Sequence, residues 1–442
     1  MMDLHRSTIL RAATGILALC ASLTSAALPA PDSDPFYVPP STFANDAPGT
    51  VYRTRLALNP GVGVTGTQIL FRTTDALGKP ASTVTTILQS ARASPKYLVS
   101  YNMYEDGAAA KCAPSYCFNT SPFQLFCPDG DLQLTQILLR GWTTIVTDFL
   151  GTTSAFSVGH QSGYQILDGY RAAINFLRLP KDVILGGYGY SGGAIGTGWS
   201  AALHNSYAPE LNIKALAFGG TPANMATTLN KLNGGAFAVS IARNGFAVAG
   251  LAGQLSAFPE LQARFDKVGT AKGKAAIASA RNECGASDII RFAFTNILST
   301  SFQSIGKGLL SDEMVARYLA LSDMKANVTE TPTKPSIYMF HSKTDEVIPY
   351  SSAHETAQTW CGRGSKILFT TEIGGGGHVG TQVVYGERVF NWLDAQLRGT
   401  SPALRTCSFV NKFTLTVPDR APYRHNLIVC STNESYQYCA EI

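Results

Sequence analysis

The chain has 442 residues, 45% apolar and 15% charged, with a formal net charge of +5 at pH 7. That length is ample for a large core, and the composition is that of an ordinary globular protein slightly poor in charge. It excludes a disordered tail, a repeat array and a basic nucleic-acid arm, and so small a charge gives no argument for a nucleic-acid partner.

Residues 1–27 read as a signal peptide. Arg6 and Arg11 precede an apolar run over 12–23, and small residues follow at Ser25, Ala26 and Ala27. Charge, short apolar core and small residues form the pattern of a secretory leader, with cleavage expected near Ala26 or Ala27. The run is too short to span a bilayer, so no transmembrane anchor is expected. These 27 residues hold two arginines and one aspartate, which leaves a mature, extracellular chain at +4.

Past a proline-rich arm over 29–40, residues 65–72 and 82–89 alternate apolar and polar positions around the turn Ala76-Leu77-Gly78-Lys79. That alternation predicts an antiparallel hairpin. Six unbroken apolar runs follow, at 97–103, 143–147, 183–188, 215–218, 336–341 and 366–370. Such runs suit strands covered on both faces of a parallel sheet. Helical periodicity over 163–177 and 384–397 lies between and after them. The alternation predicts a doubly wound, mostly parallel α/β fold.

Residues 221–312 break the rhythm. They are rich in Ala, Gly, Leu and Phe, hold no convincing strand, and show helical patterns over 258–268 and 286–298. They read as a helical cap inserted between two sheet strands. Placed where strand C-termini point, it would roof a site, with Phe237, Phe246 and Leu251 lining or gating it.

Gly189-Tyr190-Ser191-Gly192-Gly193 follows the apolar run over 183–188 and leads into a helical stretch. Strand, G-x-S-x-G, helix is the context of a nucleophile elbow, with Ser191 as nucleophile. A serine hydroxyl needs a base, and the base needs an acid to orient it. The chain order Ser, acid, His removes His5 and His160, while His204 in the next helix and His341 in a strand read as structural. Of His354, His378 and His425, His378 is favoured, because it follows four glycines at a strand end. Asp345, just past the run over 336–341, is the acid, with Glu346 as runner-up. The oxyanion donors expected are the N–H of Gly192 and one from the loop Tyr104-Glu105-Asp106-Gly107, in which Asp106 or its neighbours serve.

Beyond the leader there are eight cysteines, an even number that suits disulfides in a secreted chain. Spacing makes Cys117–Cys127 and Cys430–Cys439 plausible local loops and leaves the remaining connectivity open. There is no C-x-x-C and no paired-His spacing, so no metal or other cofactor is expected. Sequons at Asn119, Asn327 and Asn433 are candidate glycosylation sites.

Several of these stretches occur in the order found in a known family. They are Asp34-Pro35-Phe36-Tyr37-Val38-Pro39-Pro40, Ala47-Pro48-Gly49-Thr50, Tyr104-Glu105-Asp106, Cys112-Ala113-Pro114-Ser115-Tyr116 and the elbow itself. Gly219-Gly220-Thr221-Pro222, Asn233-Gly234-Gly235, Thr344-Asp345 and Gly377-His378 complete the set. Together they resemble the fungal secretory lipase family, the Candida antarctica lipase A-like α/β-hydrolases. The resemblance implies an α/β-hydrolase with a helical cap and a C-terminal flap. It implies a triad of Ser191, Asp345 and His378, and Asp106 beside Gly192 in the oxyanion hole. It also implies the disulfides Cys112–Cys284 and Cys361–Cys407.

The expected organisation is a signal peptide (1–27), a first core part (28–220), a cap (221–312), a second core part (313–406) and a flap (407–442). The expected function is a secreted, monomeric serine esterase or lipase cleaving carboxylic esters, acylglycerols above all, possible contact with a lipid–water interface included. The alternative is an esterase that deacetylates a fungal secondary metabolite such as a trichothecene.

Overall fold

A computed structural model describes residues 28–120, 132–233, 237–413, 428–433 and 436–441. The signal segment, Cys127 and His425 lie outside them, as do the side chains of 237–242 and of residues beyond 413.

The sheet opens antiparallel, with β1 (Val51–Leu56), β2 (Val64–Thr74) and β3 (Pro80–Ser90). In the β2–β3 hairpin Thr65 stands opposite Gln89 and Arg72 opposite Ser82, the pairing that the alternation predicts. Gly78 turns the chain with φ +75°, a conformation that costs little only without a Cβ. The six apolar runs become β4 (Ser94–Asn102), β5 (Trp142–Thr147), β6 (Ile184–Tyr190), β7 (Ile213–Gly219), β8 (Ser336–Ser342) and β9 (Lys366–Glu372). β4, β6, β7, β8 and β9 pair in parallel. Every residue of β5 and β8 is buried, which is why these segments lack alternation.

Helices Gly159–Leu177, Gly192–Tyr207 and Tyr350–Gly362 cover one face of the sheet. Leu132–Leu139 and Gly377–Arg398 cover the other. Layers of this kind, around a mostly parallel sheet, are those of a doubly wound α/β fold.

The cap region is helical, and two of its details differ from expectation. The helix expected over 286–298 ends at Arg291, as Gly285–Arg291. Beyond it, side chains take the backbone N–H groups: Asn233 accepts from Ile297 and Asn296 from Leu298, both at 2.8 Å. The helical packing also runs past residue 312. Helix Glu313–Ala320 lies on the cap through Arg317–Glu260 at 2.5 Å and the stacked rings of Tyr318 and Phe258. Leu251 is buried in the main core and Phe246 packs against it, while the side chain of Phe237 lies outside the described residues.

The C-terminal region extends the sheet rather than standing apart from it. β10 (Ser408–Lys412) pairs parallel with β9, β12 (Tyr436–Glu441) parallel with β10, and β11 (Ile428–Asn433) antiparallel with β12. β9 would otherwise leave a row of unpaired backbone groups at the sheet edge. The full strand order is β1-β2-β3-β5-β4-β6-β7-β8-β9-β10-β12-β11.

Candidate active site

Ser191 stands between β6 and helix Gly192–Tyr207 with φ 54° and ψ −120°, a strained conformation for a residue with a side chain. Its N–H donates to Gly219 O at 3.0 Å, and its carbonyl accepts from Ala194 N–H at 2.9 Å. The neighbouring glycines are forced by space. A Cβ on Gly193 would lie 2.0 Å from Asn102 O, and one on Gly189 would lie 2.3 Å from Gly193 O. Strand and helix backbones touch here, and the serine is left half-exposed at the bend.

The ends of three parallel strands converge on this bend. Ser191 follows β6, Asp345 lies three residues past β8, and His378 follows β9 across a glycine loop. His378 Nε2 is 2.8 Å from Ser191 Oγ, and His378 Nδ1 is 2.7 Å from Asp345 Oδ2. The other Asp345 oxygen accepts the N–H groups of Val347 at 2.9 Å and Ile348 at 2.7 Å. Burial by itself would raise the Asp345 carboxyl. Hydrogen bonding and charge from His341 and His378 outweigh that and hold it well below the usual carboxylate range.

The histidine is held by its backbone as well as its ring. Glu346 Oε2 accepts the His378 N–H at 2.9 Å, and Tyr190 Oη donates to His378 O at 2.6 Å. Gly377 has φ +62°, and a Cβ there would lie 2.7 Å from Glu346 Oε2. Glu372 fastens the glycine loop to the end of β8. It accepts from Gly376 N–H at 3.0 Å, from Ser342 Oγ–H at 2.9 Å, and from Gly374 N–H.

The loop after β4 lies over the elbow. Asp106 has φ +32°, and its Oδ1 sits where a Cβ on Gly192 would come within 1.9 Å of it. The preceding Glu105 is buried, and burial, then the charges of Asp148 and Asp106, push its carboxyl well up against an opposing Leu150 N–H. The disulfide Cys112–Cys284 ties this loop to the cap. A Cβ on Gly107 would lie 2.8 Å from Cys112 Sγ and 3.2 Å from Cys284 Cα.

The other candidates fall elsewhere. His160 contacts Glu330 at 2.9 Å, His204 meets Leu211 O at 2.8 Å, and His354 packs on Phe369 and Phe409. Cys361–Cys407 forms the second long-range disulfide. Cys117 is also disulfide-bonded, and its expected partner Cys127 lies outside the described residues. Cys430 stands opposite Cys439 in the β11–β12 register.

Asn119 is enclosed by protein partners. It is buried, its Nδ2 donates to Gln68 Oε1 at 2.7 Å and Ser115 O at 3.0 Å, and its Oδ1 accepts from Leu58 N–H at 3.0 Å. A glycosidic bond at Nδ2 would have to replace those two donated hydrogen bonds. Asn327 is exposed, and Asn433 lies in β11 with its side chain outside the described residues.

Sequence reasoning missed His341. It is buried in β8, with Nε2 3.1 Å from Asp345 Oδ2. The signal was its spacing, four residues before the acid. Tyr190 was missed too, as the variable position of the elbow motif.

Comparisons with known proteins point one way. The sequence profile described as secretory lipase matches residues 126–404. The secreted triacylglycerol lipase LIP3 of Malassezia restricta is 38% identical over 384 residues, covering 84% of this chain and 80% of that protein. The secreted triacylglycerol lipase LIP1 of Malassezia furfur is 33% identical over 398 residues, covering 87% and 79%. The crystal structure of Candida antarctica lipase A in its closed state superposes with a TM-score of 0.78 at 30% identity, covering 86% of this chain and 89% of that one. No helix among the described residues is long and apolar enough to cross a membrane. The chain belongs to the secretory lipase family and is a secreted carboxylic ester hydrolase with the α/β-hydrolase fold.

Proposed function

We propose that this enzyme hydrolyses acylglycerols through a Ser191–His378–Asp345 triad and an acyl-enzyme. The observation that carries the reading is the unbroken contact from Ser191 Oγ to His378 Nε2 at 2.8 Å and on from Nδ1 to Asp345 Oδ2 at 2.7 Å. With its Nδ1 proton held by the depressed Asp345 carboxylate, the ring presents an Nε2 lone pair to the serine. Ser191 Oγ attacks the ester carbonyl as its proton passes to Nε2. The backbone N–H groups of Gly192 and Asp106 receive the developing oxyanion. The imidazolium, stabilised by Asp345, then protonates the departing alcohol. Water, deprotonated by the same nitrogen, releases the fatty acid and restores the serine.

The named triacylglycerol lipases among the relatives favour acylglycerols, and no observation favours a metabolite deacetylase. The leader over 1–27 and the cap as a roof over the acyl site belong to the same proposal. The test is a chain-length series of p-nitrophenyl and glycerol esters on the purified enzyme, with fluorophosphonate labelling read by peptide mass spectrometry. Turnover of long-chain glycerol esters with the label on Ser191 is expected. A label on another residue, or activity confined to acetates, overturns the reading.

A further inference from the structure

The turn that carries Asp345 has a bonding problem on its outer side. Asp345 Oδ1 is spent inward on the N–H groups of Val347 and Ile348. A turn of this kind lies beyond the end of β8, so its carbonyls have no strand partner, and buried carbonyls must find donors. Three of them are met by two cations from the cap. Lys231 Nζ, at the end of helix Met225–Leu232, donates to Asp345 O at 2.6 Å and Ile348 O at 3.1 Å. Arg243 Nη1, in helix Phe237–Ala257, donates to Glu346 O at 2.9 Å. Asp345, Ile348 and Arg243 are buried and Lys231 half-buried, so water competes weakly for the Asp345 and Ile348 carbonyls, while Glu346 is exposed and its carbonyl is met by a buried cation.

We infer that Lys231 and Arg243 are positioning residues that let the cap set the geometry of the triad. The three clamped carbonyls belong to Asp345, Glu346 and Ile348. Asp345 orients the His378 ring, Glu346 accepts the His378 backbone N–H, and Ile348 donates to the Asp345 carboxylate. Every connection between the acid turn and the histidine therefore starts from a residue whose backbone, or whose immediate neighbour's backbone, is held by the cap. The acid turn keeps its place only while the cap is docked. Displacing a reacting group by about 1 Å costs on the order of 100-fold in rate. This inference rests on the triad proposed above.

The test is steady-state kinetics of the full-length secreted enzyme on p-nitrophenyl acetate, a small soluble ester that makes no demand on an acyl tunnel. Lys231→Met is expected to lower kcat by about 10- to 100-fold with KM nearly unchanged. Lys231→Arg, which keeps a charged donor, is expected to recover most of that loss. In an Asp345→Asn background, Lys231→Met is expected to cost less than about twofold, because the group it positions is already disabled. Wild-type kcat in Lys231→Met overturns the inference. Equal fractional losses in both backgrounds overturn it as well, since that is the mark of a purely structural role. Should Lys231→Met fail to be secreted, Arg243→Gln carries the same cycle with the same outcomes. Failure of the triad itself would show separately, as wild-type activity in Asp345→Asn alone.

Discussion

Glu346 Oε2 accepts the backbone N–H of His378 at 2.9 Å, while the residue before it, Asp345, accepts from the same histidine's ring. Two adjacent carboxylates thus divide the placing of one side chain between them. The first orients the imidazole, and the second anchors the main chain that carries it.

The division predicts unequal costs. Asp345→Asn should lower kcat by roughly 10⁴-fold, because an amide cannot hold Nδ1–H in place or stabilise the imidazolium. Glu346→Gln keeps an acceptor for the His378 N–H and should cost about tenfold or less. Parallel kcat measurements on a soluble ester check this, and a Glu346→Gln loss as large as that of Asp345→Asn reverses the assignment.

Ser191→Ala and His378→Ala should each remove most of a rate enhancement of about 10⁶, and the double variant should be no worse than either. Ser191→Ala should melt near the wild-type temperature, since it removes one hydroxyl from a half-exposed residue, whereas His378→Ala leaves the buried Asp345 carboxylate without its ring partner and should melt lower. Additive losses in the double variant would show that the two side chains do not act as one unit.

Alanine at the two glycines after the serine should fail differently. At Gly192 the new Cβ meets Asp106 Oδ1 at 1.9 Å, a side-chain atom that can swing aside. That variant should fold yet lose about 10²- to 10³-fold in kcat, as the oxyanion loop is pushed off the elbow. At Gly193 the Cβ meets Asn102 O at 2.0 Å, a backbone atom inside a strand. Here the expected effect is on stability, about 3 kcal/mol or more, read by thermal melting or by loss of secretion.

Asp288 offers a pH test away from the chemistry. It is fully buried, and its two carboxylate oxygens have no hydrogen-bond partner among the described residues. Burial, then the charge of Glu283, pushes it up to about 7 against Arg291 and Lys111. In the unfolded chain it titrates near ~4. Between those values the folded state keeps a proton that the unfolded state has lost, so stability falls as pH rises through the window. Asp288→Asn should raise the melting temperature at pH 8 and leave it nearly unchanged at pH 4. Asp148, also pushed up to about 7, acts with the same sign, so part of the slope should persist in the variant. An equal gain at both pH values would remove Asp288 from the account.

Periodicity exposed most of this fold. The hairpin is legible because one face of it is wet, and the six central strands because neither face of them is. β1 and the C-terminal strands were not legible, since edge strands are short, mixed in polarity and defined by whom they pair with. Ser191 was readable from its strand–turn–helix setting, and His378 from chain order and its glycines. The surroundings of Asp345 were not. Lys231 lies 114 and 117 residues from the two carbonyls it meets, and Arg243 103 residues from its one. A backbone acceptor leaves no mark in a sequence, because every residue has one. His341 was set aside for lying in a strand, yet the turn after that strand brings Asp345 back beside it.

The Cys112–Cys284 bond also sets an order of events during synthesis. Its second cysteine is made 172 residues after the first. At ordinary translation rates that is a wait of roughly 10 to 30 seconds. Throughout it Cys112 is an open thiol, with Cys117 only five positions away and the cap that should receive it still unmade. Early pairing with a near neighbour has to be undone by thiol–disulfide exchange before the loop after β4 can dock on the elbow. The yield of active enzyme from a host should therefore follow its disulfide-isomerase capacity more closely than its rate of protein production.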